Sequence, residues 1–321
     1  DMFAIGLENQ LYYGITILGG SAFALGLGWY RCSKEKIAQS KILLATVLLP
    51  LFTAFFSHLF FCLVDVEYTL YSYSFGYFFA FWEKGYMLYG GMFGAVLGLF
   101  FIGGKDGLKM LEQYAPSGAW MIAAARIGEG FLGQGYGEYW MDESFFCRFP
   151  FMVYDPYYEA WGWALFVLEA LIALAVFAFL LKKKKSWAGD GALLLLGLYA
   201  SAQIVLESLR RDEFLRWGFV RVEEVLSAVL VLAVLLCYCL KSAKGKQLSK
   251  TLCFGLSVIM LVFCLLLEFA TEGRIPFLMF LDVSACYTAM AGACAVLAGC
   301  VLWMRRLCNA QYMTVGKERC L

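Results

Sequence analysis

The sequence predicts an all-α protein: a polytopic integral membrane helical bundle with a seven-helix core and a C-terminal two-helix hairpin. Three observations carry this expectation. Nine apolar segments reach the length a helix needs to cross about 30 Å of hydrocarbon. The loops between them alternate between rich and poor in Lys and Arg, the pattern that orients membrane proteins. The composition agrees, with 62% hydrophobic and 16% charged residues in a chain of 321.

The expected spans, in order, are residues 11–30, 41–64, 87–103, 117–134, 159–181, 191–209, 219–240, 251–270 and 283–304. The first is expected to stay uncleaved, because Arg31–Lys36 and a second span follow it without a convincing cleavage site. Spans one to seven hold almost all polar residues at membrane depth. Spans eight and nine are nearly featureless, with Glu268 the main exception. The basic linker Lys241–Lys250 separates the two groups. The expected domains are therefore residues 1–240, and residues 241–321 comprising linker, hairpin and tail.

Of 26 basic residues, 18 fall in loops 31–41, 104–116, 182–190, 241–250 and the tail 305–321, including Lys182-Lys183-Lys184-Lys185 and Arg305-Arg306. Six lie on the opposite side: Lys84, Arg148, Arg210, Arg211, Arg216 and Arg274. This bias predicts an external N-terminus and a cytoplasmic C-terminus, which an odd number of spans also requires. A net charge of +1 argues against nucleic-acid binding. Of the twelve cysteines only Cys147 falls in an outer loop, so no disulfide framework is expected. Cys237 and Cys239, two apart on a helix, point to different faces, and His58 is the only histidine; no metal site and no cofactor are expected. The outer loops 65–86 and 135–158 are aromatic, from Tyr68 to Phe79 and from Tyr136 to Tyr157-Tyr158. They read as an interfacial belt or as a lid over a lipid site.

Three constellations stand out. Span four carries Arg126, Gly128, Glu129 and five glycines within residues 128–137. A guanidinium at membrane depth costs at least about 2.5–3.5 kcal/mol and persists only when paired or facing a polar cavity. Glu129, three residues on, shares its helical face. The readings are a self-neutralised structural pair or an anionic headgroup site. At the end of span six, Tyr199, Gln203 and Glu207 step by four into one polar stripe, with Arg210 and Arg211 beyond it. Span three opens with Tyr89-Gly90-Gly91, and the small residues Gly90, Gly94 and Gly98 suit close helix packing.

In this order, these segments resemble the prolipoprotein diacylglyceryl transferase family. Arg126, Gly128 and Gly137 fall in register with its span-four signature, approximately G-R-x-G-N-F-x-N-x-E-x-x-G. Leu11-Tyr12-Tyr13-Gly14 is similar to its W-Y-G, and Tyr89-Gly90-Gly91 to its H-G-G or Y-G-G. Ala115-Pro116 and Tyr158-Glu159-Ala160 also match. Tyr199, Glu207 and Arg210 fit its Y-G-x-x-R-x-x-x-E-x-x-R. The chain departs from the family where Glu129 and Leu132 stand for asparagines, Gln134 for a glutamate, and Gln203 and His58 for arginines.

The resemblance implies a phospholipid-dependent transferase that moves a diacylglyceryl group from phosphatidylglycerol to a prolipoprotein cysteine or related acceptor, in a bacterial cytoplasmic membrane. It implies Arg126, Glu129, Tyr89 and Glu207 as catalytic residues. Tyr13, His58, Gly90, Gly91, Gly137, Gln203 and Arg210 are the implied lipid-binding residues. The expected partners are the membrane, an anionic phospholipid and a prolipoprotein signal peptide. The competing reading is a non-catalytic lipid-binding or assembly protein on a degenerate transferase scaffold.

Overall fold

The computed structural model describes residues 7–141, 145–155, 159–184, 186–211, 215–217, 220–242, 247–274 and 281–318, with the side chains of residues 7, 8, 217 and 310–318 left aside. Tyr157, Tyr158, Lys185 and Cys320 lie outside the described residues. Helices dominate: α1 Leu7–Lys34, α2 Gln39–Val64, α3 Val66–Ser72, α4 Leu88–Gly103, α5 Gly107–Phe131, α6 Leu165–Lys182, α7 Asp190–Leu209, α8 Val222–Lys241, α9 Gln247–Thr271 and α10 Val283–Glu318. Among the described residues, eight helical runs are long and apolar enough to cross a membrane. Residues 88–131 form one of the eight, although the turn Gly104–Asp106 divides that run into α4 and α5. Gly104 takes φ 52° there, a left-handed conformation that glycine adopts without a Cβ clash. Divided so, the helices follow the nine expected spans.

The chain forms two compact units. The first contains residues 1–134, 166–182 and 213–217; the second contains residues 135–165, 183–212 and 218–321.

In the first unit, α4 lies antiparallel to α2, and α5 antiparallel to α1. Small residues set both approaches. A Cβ on Gly90 would sit 2.3 Å from the Phe56 carbonyl oxygen, and one on Gly94 2.5 Å from that of Phe52. On the other pair, Gly28 faces the ring of Tyr114 and Gly128 the ring of Tyr13. Lys41, at the start of α2, donates to Gly103 O at 2.8 Å and to Asp106 Oδ2 at 2.7 Å, fixing the α4–α5 turn. Gly90→Val is expected to destabilise the fold by about 1–3 kcal/mol, because the obstructing atom is backbone and does not rotate away. Thermal unfolding in detergent micelles checks this; an unchanged midpoint would contradict it.

The second unit contains a segment, residues 135–165, in which the sequence suggests a loop. Tyr136–Trp140 (β1), Met152–Asp155 (β2) and Ala160–Ala164 (β3) form an antiparallel sheet of order β1-β3-β2. The fifth span thus starts at Leu165 rather than 159, because Ala160–Ala164 is strand. Two further boundaries are corrected. Helix α5 begins at Gly107 and runs through Pro116, so 107–116 is not a loop. Helix α10 continues past Arg305-Arg306 to Glu318, since charge ends the hydropathy of a segment and not its helicity. Helices α7, α8, α9 and α10 complete this unit.

Candidate functional site

In the first unit, the charged node on α5 is built within one helical turn. Arg126 Nη1 donates to both Glu129 oxygens at 2.8 Å, the i,i+3 contact that the spacing predicts. Its Nε lies 3.4 Å from Glu169 Oε2 on α6. The Arg126 side chain is 1% exposed and Glu169 is 0% exposed, while Glu129 is 20% exposed. One guanidinium thus meets two carboxylates, and only Glu129 reaches the surface of the node. The sequence reading missed Glu169, which is the only charged residue within the apolar run of span five and which the cost of burial could have flagged.

The neighbouring α5 glycines fit side chains around the node. The Tyr13 ring packs on Gly128, the residue before Glu129, and the Phe166 ring covers Gly130. After Phe131 the helix stops, and Gly133 and Gly135 take φ 73° and 76°, so the glycine-rich run does break the helix. Beside the node, Thr16, Gly20, Trp120, Ala124, Ile127 and Leu171 contribute to an apolar crevice of about 270 Å³ formed by α1, α5 and α6.

The other first-unit candidates have different surroundings. Tyr89 is buried in the first turn of α4. Gly90 closes onto α2, and a Cβ on Gly91 would sit 3.7 Å from the Ser57 side chain, so both lie against that helix. His58 is buried, with Nδ1 2.9 Å from Gly85 O and Nε2 2.9 Å from Tyr77 O. It anchors the aromatic segment 65–86. That segment contains α3, capped by Asp65 through the Tyr68 N–H at 3.1 Å, and a 3-10 turn at Phe75–Phe79. Tyr73 stacks on Tyr77 with ring centroids 4.2 Å apart, while Tyr71, Phe75 and Trp82 stay exposed.

In the second unit, the predicted stripe of α7 is present and fully buried: Tyr199, Gln203 and Glu207. Gln203 Nε2 donates to Glu207 Oε1 at 2.7 Å. Arg210 Nη1 stands 3.5 Å from Glu207 Oε1, and Arg221 Nη1 3.7 Å from Glu207 Oε2. Arg221 Nη2 also donates to Arg210 O at 2.7 Å, tying the end of α7 to the start of α8. Here one carboxylate meets two guanidinium groups, the reverse of the α5 node. Glu223, buried, and Glu224 stand on the first turn of α8. Arg221 and its partner Glu207 are 14 positions apart, beyond any helical spacing rule. Gly137 lies in β1 against Leu165 and Trp163, a packing position. Burial pushes the phenol of its neighbour Tyr136 up to about 12, with Asp155 adding to the rise.

Among the described residues, no group of three or more His, Cys, Asp or Glu is placed to hold a metal ion.

A sequence model of the family described as prolipoprotein diacylglyceryl transferase matches residues 2–240. A curated relative from Streptococcus pneumoniae serotype 4, named phosphatidylglycerol–prolipoprotein diacylglyceryl transferase, is 27% identical over 230 residues, covering 68% of this chain and 85% of that protein. Proteins of the same name from the Hungary19A-6 and serotype 19F strains of that species are 26% identical over 230 residues, with the same coverage. The matched region runs from α1 through α8 and contains both charged clusters. The chain belongs to the prolipoprotein diacylglyceryl transferase family.

Proposed function

We propose that this protein transfers a diacylglyceryl group from phosphatidylglycerol to the thiol of a prolipoprotein cysteine. Beyond family membership, the observation that carries this reading is the Arg126–Glu129–Glu169 node, a charged group kept inside an apolar helix bundle at a cost that packing alone does not repay. In the reaction, the cysteine thiol gives its proton to a base and the sulfur attacks a glycerol carbon. The carbon–oxygen bond to phosphate breaks, and glycerol phosphate leaves with the bonding electrons.

Roles follow from the environment of each group. Glu129 is the carboxylate to accept the thiol proton, because it is partly exposed and Arg126 fixes its orientation. Glu169 holds Arg126 from behind. Arg126 already serves two carboxylates, so we assign phosphate recognition to Arg210 in the second unit, backed by Arg221. Glu207 and Gln203 position Arg210. Arg210→Ala is expected to raise KM for phosphatidylglycerol tenfold or more, by roughly the strength of one charge-assisted hydrogen bond (about 1.5–3 kcal/mol). The prolipoprotein is recognised through its signal peptide, which presents the cysteine at the membrane surface. The protein functional in cells is expected to restore growth to a bacterium depleted of its own diacylglyceryl transferase. Failure of the well-expressed protein to do so, across several donor-lipid backgrounds, would count against this acceptor.

The protein resides in the bacterial cytoplasmic membrane, and the bias of basic loops places the N-terminus outside. An impermeant thiol reagent should label Cys147 in intact cells, and a Lys105→Cys variant only after permeabilisation. The reverse pattern would overturn the orientation. Cys308 cannot report on it, since its thiol is buried against Tyr238 O at 3.2 Å whichever side it faces.

A further inference from the structure

The hairpin α9–α10 lies beyond residue 240, outside the family match. Its contacts with α7 are not those of a loose appendage. At the first residue of α7, Asp190 is buried and accepts from Arg305 Nε at 2.9 and 3.1 Å, from Lys183 at 2.8 Å and from the Tyr238 hydroxyl at 3.1 Å. Midway, Gly197 faces Val301. At the last turn, the Tyr287 hydroxyl accepts from Arg211 Nη2 at 3.3 Å and donates to Ser208 O at 3.4 Å. Ser208 Oγ donates to Glu268 of α9. The same 18-residue interval separates Asp190 from Ser208 and Tyr287 from Arg305, about 27 Å of helix in each. Helix α10 therefore runs antiparallel to α7 in matched register and grips both ends.

The grip at the outer end falls beside Glu207 and Arg210. Ser208 O is one of the last four carbonyls of α7, which have no donor within the helix. Tyr287 supplies one. The strand-like turn that carries Arg210 and Arg211 is thus held on one side by Arg221 and on the other by the hairpin.

We propose that Tyr287 and Glu268 are positioning residues: the C-terminal hairpin fixes the Ser208–Arg211 turn, and through it the Arg210 guanidinium that recognises the donor phosphate. This rests on the function proposed above for Arg210. The hairpin is then a built-in part of the site that the family-matched region does not supply.

The test uses the full chain in detergent micelles, as wild type, Tyr287→Phe, Glu268→Leu and the control Val296→Ala, which alters an exposed side chain of α10. Two measurements are made. Amide hydrogen exchange of the segment 205–211 should accelerate about tenfold in Tyr287→Phe and stay unchanged in Val296→Ala, as expected when a local opening becomes easier. In steady-state transfer, KM for phosphatidylglycerol should rise about three- to tenfold in Tyr287→Phe and Glu268→Leu, with kcat within about twofold, the signature of a lost binding geometry. Equal exchange in wild type and Tyr287→Phe overturns the inference. Faster exchange with unchanged KM in an active enzyme also overturns it, reducing the contact to fold stability. If the wild type makes no thioether, the functional reading fails on its own, and the exchange measurement still decides whether the hairpin holds the turn.

Discussion

Arg126→Ala is expected to abolish transfer and to lower the folded yield as well. The guanidinium is 1% exposed and bonds Glu129, with Glu169 at 0% exposure beside it. Removing the cation leaves a buried carboxylate without its charge partner, and breaking such pairs costs about 3–5 kcal/mol. A purely functional residue on the surface of a pocket would show no such loss. Two companion variants separate the effects. Arg126→Ala combined with Glu169→Gln should recover part of the lost stability, because the stranded charge is gone, yet stay inactive. Arg126→Lys keeps a positive charge but gives up the planar guanidinium that meets Glu129 through Nη1 and Glu169 through Nε, so it should fold but transfer poorly. Unfolding midpoints and transfer rates on the four proteins check this. Full stability of Arg126→Ala would mean that the node does not hold the helices together.

Glu129→Gln is expected to fold normally and to lose transfer by about 10²–10⁴-fold, the range for removing a positioned general base. The amide still accepts from the Arg126 guanidinium, and Glu169 stays to balance its charge. The loss should therefore fall on kcat, with little change in affinity for the donor lipid. Were Glu129→Gln to transfer at the wild-type rate, Glu129 would not be the group that takes the thiol proton.

The spans were legible because hydrocarbon imposes one length on every helix, and the α5 and α7 clusters because helical spacing of three or four puts residues on one face. Arg126–Glu129 and Gln203–Glu207 are both such pairs. Glu169 and Arg221 were harder to read, since their partners Arg126 and Glu207 are distant in sequence and only packing joins them. The three-stranded sheet was hidden by composition. Strands β1–β3 are rich in Tyr and Trp, a signal shared by interfacial loops and edge strands alike. The small-residue spacing of Gly90, Gly94 and Gly98 announced close helix packing, and the structure shows that packing against α2 in full. The hairpin was legible as two helices, but its register on α7 depends on Asp190, Arg305, Ser208 and Tyr287, which no local pattern links.

The most direct test of the account is product formation by the purified protein. It should be incubated in micelles with phosphatidylglycerol and a synthetic peptide bearing a lipobox cysteine, and the peptide analysed by mass spectrometry. The account predicts a peptide heavier by one diacylglyceryl group, joined through a thioether, with glycerol phosphate released in equal amount and neither product formed by Glu129→Gln. Binding of phosphatidylglycerol without any thioether product, by folded protein over a range of pH and peptide sequences, would contradict it.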